Sequence, residues 1–249
     1  MSTEQITVAG IDIDLIRKDI KNIHLAVYPP SGRVRIAAPE QMDADAIRLF
    51  AISKIPWIRK HQRKFAEQNR EAPREYVNGE SHYFLGRRYL LNIVEHSGNN
   101  KVVIRNRKYM DLYVRHGATR DQKERAMREW YRRELKSLVR DLVAKWEVVI
   151  GVRCAGWGIK YMRTKWGTCN TSAKRIWLNL ELAKKPVICL EYIIVHELIH
   201  LLERNHTERF VSLMDRFMPN WRLHREVLNG LPVGHGEWGR ANASKFDLL

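Results

Sequence analysis

Cysteine is scarce in this chain, with 3 in 249 residues. Cys154, Cys169 and Cys189 show no C-x-x-C spacing and cannot all pair, which excludes a disulfide framework and favours reduced thiols in a cytoplasmic protein. No apolar run reaches the length of a membrane span, and the first residues, MSTEQITVAGIDI, lack a charged-then-apolar signal pattern. A membrane protein is therefore not expected. Neither an internal repeat nor a low-complexity segment stands out, which speaks against a repeat architecture. Acidic residues are in deficit: Asp+Glu 28 against Lys+Arg 44 leaves a net charge of +16. Between Lys101 and Lys145 stand 14 basic and 6 acidic residues, half of that excess. Such a surface attracts polyanions, and DNA contact is one reading of it; a basic surface that only keeps the protein dispersed is the other. A hydrophobic content of 45% is that of a globular protein with a real core.

What the chain does have is one stretch around which the rest is organised, Leu190 to Phe210, LEYIIVHELIHLLERNHTERF. It contains His196-Glu197-Leu198-Ile199-His200, an H-E-x-x-H pattern. On a helix, residues i and i+4 are offset by roughly 40° and one turn, so both imidazoles point the same way and can share one zinc ion. Glu197 stands where its carboxylate can take a proton from a water at the open fourth position. Pro186 suits a first helical turn, and Ile193, Ile194, Leu198, Leu201 and Leu202 are positioned to bury the helix. The third ligand is less direct. A continuing helix would carry His206 about 80° away from the ligand face, so the chain has to turn first. Asn205 is suited to a left-handed turn, and the spacing is that of H-E-x-x-H-x-x-G-x-x-H, with Glu203 in place of the Gly. His206 is favoured, and Glu208 and Glu226 are the rivals.

The remaining pattern reads as α+β. Residues 5–37 alternate as strands, with a turn at Pro29-Pro30-Ser31-Gly32, and Asp43 suits the N-cap of a helix that Pro56 divides from a second. Residues 75–115 return to strands, with a hairpin at Tyr83-Phe84-Leu85-Gly86. Residues 119–149 form the longest helix. Its apolar stripe holds Trp130 and Trp146, so these are core rather than base-stacking platforms. Its outer surface holds Arg125, Arg128, Arg132, Arg133, Lys136 and Arg140. Ile159–Met162 and Arg175–Asn179 read as neighbouring strands, one of which offers a free edge to an extended peptide. Lys165–Asn170 between them reads as a turn, with Cys169 as a structural thiol. Thr207 caps a further helix, and Trp221–Leu228 forms a last one, where His224 is a surface or core histidine. This gives a β-rich region at 1–118 with a helical segment, a catalytic core at 119–230, and a loosely ordered tail at 231–249.

These residues resemble the YgjP-like metallopeptidases, zincin-like enzymes related to the SprT-like proteases. The resemblance covers most of the chain. It rests on Trp57-Ile58, Tyr83-Phe84-Leu85-Gly86 and Trp130-Tyr131, on Lys165-Trp166-Gly167-Thr168-Cys169 and Leu178-Asn179, and above all on Val195–His200 with Asn205-His206 and Phe210. Thr168 stands where the family often has Ser, and Val211 where it often has Trp. The resemblance implies a zincin-like core with a mixed or antiparallel sheet and an active-site helix. It also implies zinc on His196, His200 and His206, Glu197 as general base, and a protein or peptide substrate. Asn170, Asn179 and Arg163 are candidate oxyanion donors by their nearness in sequence. The rival readings are a protease acting on DNA-bound proteins and a non-catalytic, zinc-stabilised nucleic-acid-binding protein.

Overall fold

The computed structural model describes residues 3–28, 31–67, 74–162 and 165–231. The expected Pro29-Pro30 part of a turn, the polar stretch from Gln68 to Pro73, Arg163 and the tail after Leu231 lie outside them. The fold is α+β, with six α-helices and three mixed sheets among the described residues. None of the described helices is long and apolar enough to cross a membrane. The described residues up to 67 form one compact unit and those from 74 onward another, each around its own apolar cluster.

In the first unit, β1 (Thr3–Val8), β2 (Ile11–Lys18), β3 (His24–Tyr28) and β4 (Arg33–Pro39) form a sheet in the order β1-β2-β4-β3. Alternation places Ile13 and Leu15 of β2 and Val34 and Ile36 of β4 on one buried face. Helices α1 (Ala44–Ser53) and α2 (Ile55–Glu67) contribute Ile47, Ala51 and Ile58 to the same cluster. Asp43 caps α1, its carboxylate accepting from the Asp45 amide at 3.2 Å.

The second unit opens with β5 (Ser81–Phe84), β6 (Arg87–Glu95), β7 (Lys101–Arg105) and β8 (Tyr109–Val114), in the order β5-β6-β8-β7. Here a repeat emerges that the sequence conceals. Both sheets pair an antiparallel hairpin, a parallel central pair and an antiparallel outer pair. One offset separates Gly10 from Gly86, the first residues of β2 and β6, those of β4 and β8, and the N-caps Asp43 and Thr119. The hairpin turns match in conformation, Ala9-Gly10 at φ 49° and 75° and Leu85-Gly86 at φ 48° and 80°. Ile13/Tyr89, Leu15/Leu91, Val34/Met110 and Ile36/Leu112 are buried in both copies. What the copies share is alternation and a tight turn, which many residue sets satisfy, so residue identity does not expose them.

Helix α3 (Arg120–Ile150) runs from a capping box, Thr119 with Gln122, to the left-handed Gly151 at φ 77°. The expected boundary at 118/119 sets the second sheet apart from α3. Its Leu91, Met110 and Leu112 nevertheless share one cluster with Met127, Leu135 and Val139 of α3, because the sheet's apolar face is covered by that helix. Trp130 and Trp146 are buried there as expected. Several of the helix's outward cations are paired locally: Arg128 with Glu124 at 2.6 Å, Arg140 with Asp141 at 3.0 Å and Arg133 with Glu134 at 3.4 Å.

The second hairpin positions the helix that carries the H-E-x-x-H histidines. The Leu85 and Gly86 amides donate to the Ala183 and Lys184 carbonyls at 2.9 and 3.2 Å, in a 3-10 turn at Leu180–Lys184. A Cβ on Gly86 would lie 2.8 Å from the Pro186 ring, so only glycine lets the hairpin tip close on the start of α4 (Val187–Ile199). The Tyr131 hydroxyl donates to the Tyr83 carbonyl at 2.8 Å and ties the same hairpin to α3. The last sheet, β9 (Gly156–Lys160), β10 (Gly167–Asn170) and β11 (Arg175–Asn179), has the order β10-β11-β9. Helices α5 (Glu208–Phe217) and α6 (Trp221–Gly230) complete the unit, with Thr207 capping α5 as expected.

Candidate metal centre

Helix α4 lies inside the core. From Cys189 to Ile199 every residue except Glu191 is buried, which places His196 and Glu197 out of bulk water at 5% exposure each. One turn on, α4 ends at His200, and the Leu201, Leu202 and Glu203 amides fold back onto Leu198 and Ile199 carbonyls at 2.8 to 3.0 Å. This is the turn that His206 requires, and it is made differently from expectation. Asn205 is not among the residues with positive φ. Glu203 shapes the turn instead: its carboxylate accepts from the Asn205 amide at 3.2 Å, and its carbonyl lies 3.1 Å from His200 Nδ1. A carboxylate that receives a backbone amide does here what a left-handed residue would do.

The result is a convergence of imidazoles. His196, His200 and His206 each offer a ligand atom within 4.8 Å of the others, and this group could hold a metal ion. His196 Nε2 and His206 Nε2 are 3.1 Å apart. The rivals Glu208 and Glu226 are exposed and do not join the group. A hydrogen bond from His200 Nδ1–H to the Glu203 carbonyl leaves the Nε2 lone pair for a ligand. Burial first, and then repulsion from any positive charge on His200 and His206, hold His196 well below the usual imidazole range, which favours its neutral, lone-pair form. Phe210 is buried beneath the group, its ring 4.8 to 5.0 Å from all three imidazole centroids. His224 stands half-buried on α6, outside the group.

Glu197, fixed by the same helix, faces β10. A Cβ built on Gly167 would lie 2.4 Å from Glu197 Oε1 and 2.8 Å from its Cγ, so the strand backbone passes directly over the carboxylate. Burial pushes the Glu197 carboxyl up to about 8, and the Lys165 ammonium opposes the rise. A cation held by the imidazoles acts in the same direction as Lys165.

Over residues 21–230 the chain matches the YgjP-like metallopeptidase domain. It belongs to the YgjP-like metallopeptidases. A metal-dependent peptidase acting on protein or peptide is the activity this membership supports. The chain matches no curated protein. Among solved structures it is similar to the metallopeptidase zymogen abylysin of Pyrococcus abyssi, at 21% identity over 36% of this chain and 87% of that one. The TM-score is 0.33, too slight a likeness to carry the fold.

Two sequence expectations change within this YgjP-like site. The stretch read as a turn contains β10, and β11 is the central strand, paired on both sides. Among the described residues both outer strands have a free edge, β9 as expected and β10 as well, and β10 is the one that lies against Glu197. Its four residues, Gly-Thr-Cys-Asn, carry too little apolar alternation to announce a strand. Asn179, a candidate oxyanion donor, is fully committed elsewhere. Its Nδ2 donates to the Met162 and Lys165 carbonyls at 2.8 and 2.7 Å, and its Oδ1 accepts from the Met162 and Glu181 amides at 3.3 and 3.1 Å. With both protons used it has none for a substrate. It holds the loop that delivers Trp166 and Gly167 to Glu197, and its own amide donates to the Trp166 carbonyl at 2.8 Å. Asn170 Oδ1 accepts from the Ala173 amide at 2.9 Å. Cys169 sits partly buried on β10, where burial first and then the Glu197 charge push its thiol up to about 12, as fits a structural thiol.

Proposed function

We propose that this chain is a zinc peptidase in which His196, His200 and His206 bind the metal and Glu197 is the general base. The convergence of three imidazole donors beside one buried carboxylate carries the reading. The donor set fits zinc. Tetrahedral Zn–N bonds put two ligand nitrogens about 3.4 Å apart, and the two Nε2 atoms already stand 3.1 Å apart. When bound, zinc supplies a Lewis acid that polarises the scissile carbonyl and makes water acidic.

The chain's own residues do the rest. Glu197 accepts a proton from the attacking water and returns it to the leaving amine. Its buried position excludes competing bulk water and strengthens its charge interactions. The free edge of β10 receives the substrate as an added strand of about four residues, which brings an extended backbone past Glu197. That geometry favours unfolded or loop segments of proteins over folded ones. Three free thiols suit a reducing compartment, and the reading places the enzyme in the cytoplasm.

The ligand assignment is tested by zinc titration. His206→Ala weakens zinc binding at least 100-fold, while Glu208→Ala and Glu226→Ala leave it unchanged. Loss of binding in Glu226→Ala with retention in His206→Ala would sink the assignment.

A further inference from the structure

The β9–β11 sheet has a second face that the peptidase reading does not use. Ile176 and Leu178 are buried with Ile159 on the side that meets α4, and the half-buried Gly167 and Cys169 share that side by register. Alternation turns Thr168, Trp177 and Gly158 to the opposite side. There Trp177 lies flat on the sheet. A Cβ on Gly158, its cross-strand neighbour, would meet the indole at 2.4 Å, so the ring rests on bare backbone. Two cations from opposite ends of the strands lie over the ring, Lys160 Nζ 4.8 Å and the Arg175 guanidinium 4.9 Å from its centroid, on long exposed side chains that can swing aside to phosphates as a base takes their place. Both are exposed, and among the described residues neither pairs with a carboxylate, in contrast to Arg128, Arg133 and Arg140 of α3. The local sequence has no acidic residue from Val148 to Leu180 and six basic ones. Arg153 and Lys174, next to these strands in sequence, are exposed as well.

We propose that this face binds single-stranded nucleic acid, with a base stacked on Trp177 and phosphates held by Lys160 and Arg175. A planar ring seated on a sheet, under two cations without a carboxylate partner among the described residues, fits a ligand that is planar and anionic in alternation. A duplex hides its base faces and does not fit. An acidic polypeptide satisfies the charge but leaves the indole without a stacking partner. The sequence pattern drew attention to α3 as the basic surface, and Arg125, Arg132 and Lys136 there also lack a carboxylate partner among the described residues; what this sheet adds is two such cations gathered at one indole. The proposal stands apart from the peptidase reading, since binding is measured without turnover.

The test uses the full-length protein and a fluorescein-labelled oligothymidylate of about 12 nucleotides, read by anisotropy across a salt series. Wild type binds with a steep negative salt dependence. Trp177→Leu, which keeps an apolar cover over Gly158, weakens binding at least 10-fold, and Trp177→Phe restores most of it. Lys160→Ala with Arg175→Ala flattens the log–log salt slope by about 1.4. Arg133→Ala with Lys136→Ala on α3 leaves the Trp177 dependence intact. Unfolding temperatures of the variants separate binding from folding. The proposal is overturned if wild type fails to bind the oligonucleotide, or if Trp177→Leu binds as wild type does. It is equally overturned if poly-glutamate competes at equal charge concentration, which would make the face a site for acidic polypeptide.

Discussion

Gly167→Ala is the substitution that asks most of the site, because it adds one methyl group between β10 and the Glu197 carboxylate. The new Cβ would stand 2.4 Å from Glu197 Oε1, 2.8 Å from its Cγ and 2.8 Å from Ile193 Cγ2. Ordinary contact begins near 3.4 Å, so the carboxylate or the strand has to move by about 1 Å. The Oε1 clash alone could be relieved by rotating the carboxylate. The Cγ and Ile193 contacts involve atoms close to the helix backbone, and these do not yield by rotation. Overpacking of this kind costs about 1–3 kcal/mol, and a 1 Å misplacement of a reacting group can lower the rate about 100-fold. Gly167→Ala is therefore expected to bind zinc as wild type does, to unfold more easily by that amount, and to lose about 100-fold in kcat on an unfolded protein substrate. A double-mutant cycle isolates the contact: in a Glu197→Ala background the stability loss from Gly167→Ala shrinks but does not vanish, since Ile193 remains in the way. Full activity with unchanged stability in Gly167→Ala would refute the close approach of β10 to Glu197.

Two further substitutions probe the support around the site. Asn179→Ala leaves two carbonyls and two amides without their side-chain partner, and is expected to lower stability by about 3 kcal/mol in urea unfolding; a change below about 1 kcal/mol would contradict the hub role. His82, buried on β5, has its pKa lowered from 6.5 to about 4 by burial and by the Arg74 charge, against the hydrogen bond to Glu80. The unfolded chain therefore takes up a proton that the folded one refuses, so stability is present above pH 6.5 and falls by about 3 kcal/mol towards pH 4. His82→Gln is expected to flatten that acid limb, and an unchanged limb would show that other groups carry it.

The sequence discloses this site unevenly, for physical reasons. His196 and His200 are legible because helical spacing alone places them on one face, and Glu197 because it stands beside the first of them in the H-E-x-x-H pattern. The convergence of His206 is legible only as a requirement for a turn. Its maker, Glu203, is hidden because an exposed-looking glutamate carries no turn signal, whereas its carboxylate binds a backbone amide in the fold. Asn179 looks like a catalytic amide by its nearness in sequence, and only its four bonds reveal a structural hub. β10 is hidden by its shortness, and Gly167 takes its importance from a helix that comes later in the chain. The ββββ repeat escapes for the opposite reason: strand alternation constrains so little that two copies can keep the fold and share few residues. The caps at Asp43 and Thr207 are legible from local chemistry, and the long helix expected over 119–149 spans Arg120–Ile150.

The most direct test of the mechanism compares wild type with Glu197→Gln, both loaded with zinc, on casein. The amide keeps the shape of the side chain and removes its capacity to accept and return a proton. The expected result is one zinc per chain in both proteins and cleavage by wild type alone. Cleavage by Glu197→Gln at the wild-type rate would contradict the assignment of Glu197 as the base, and with it the proposed mechanism.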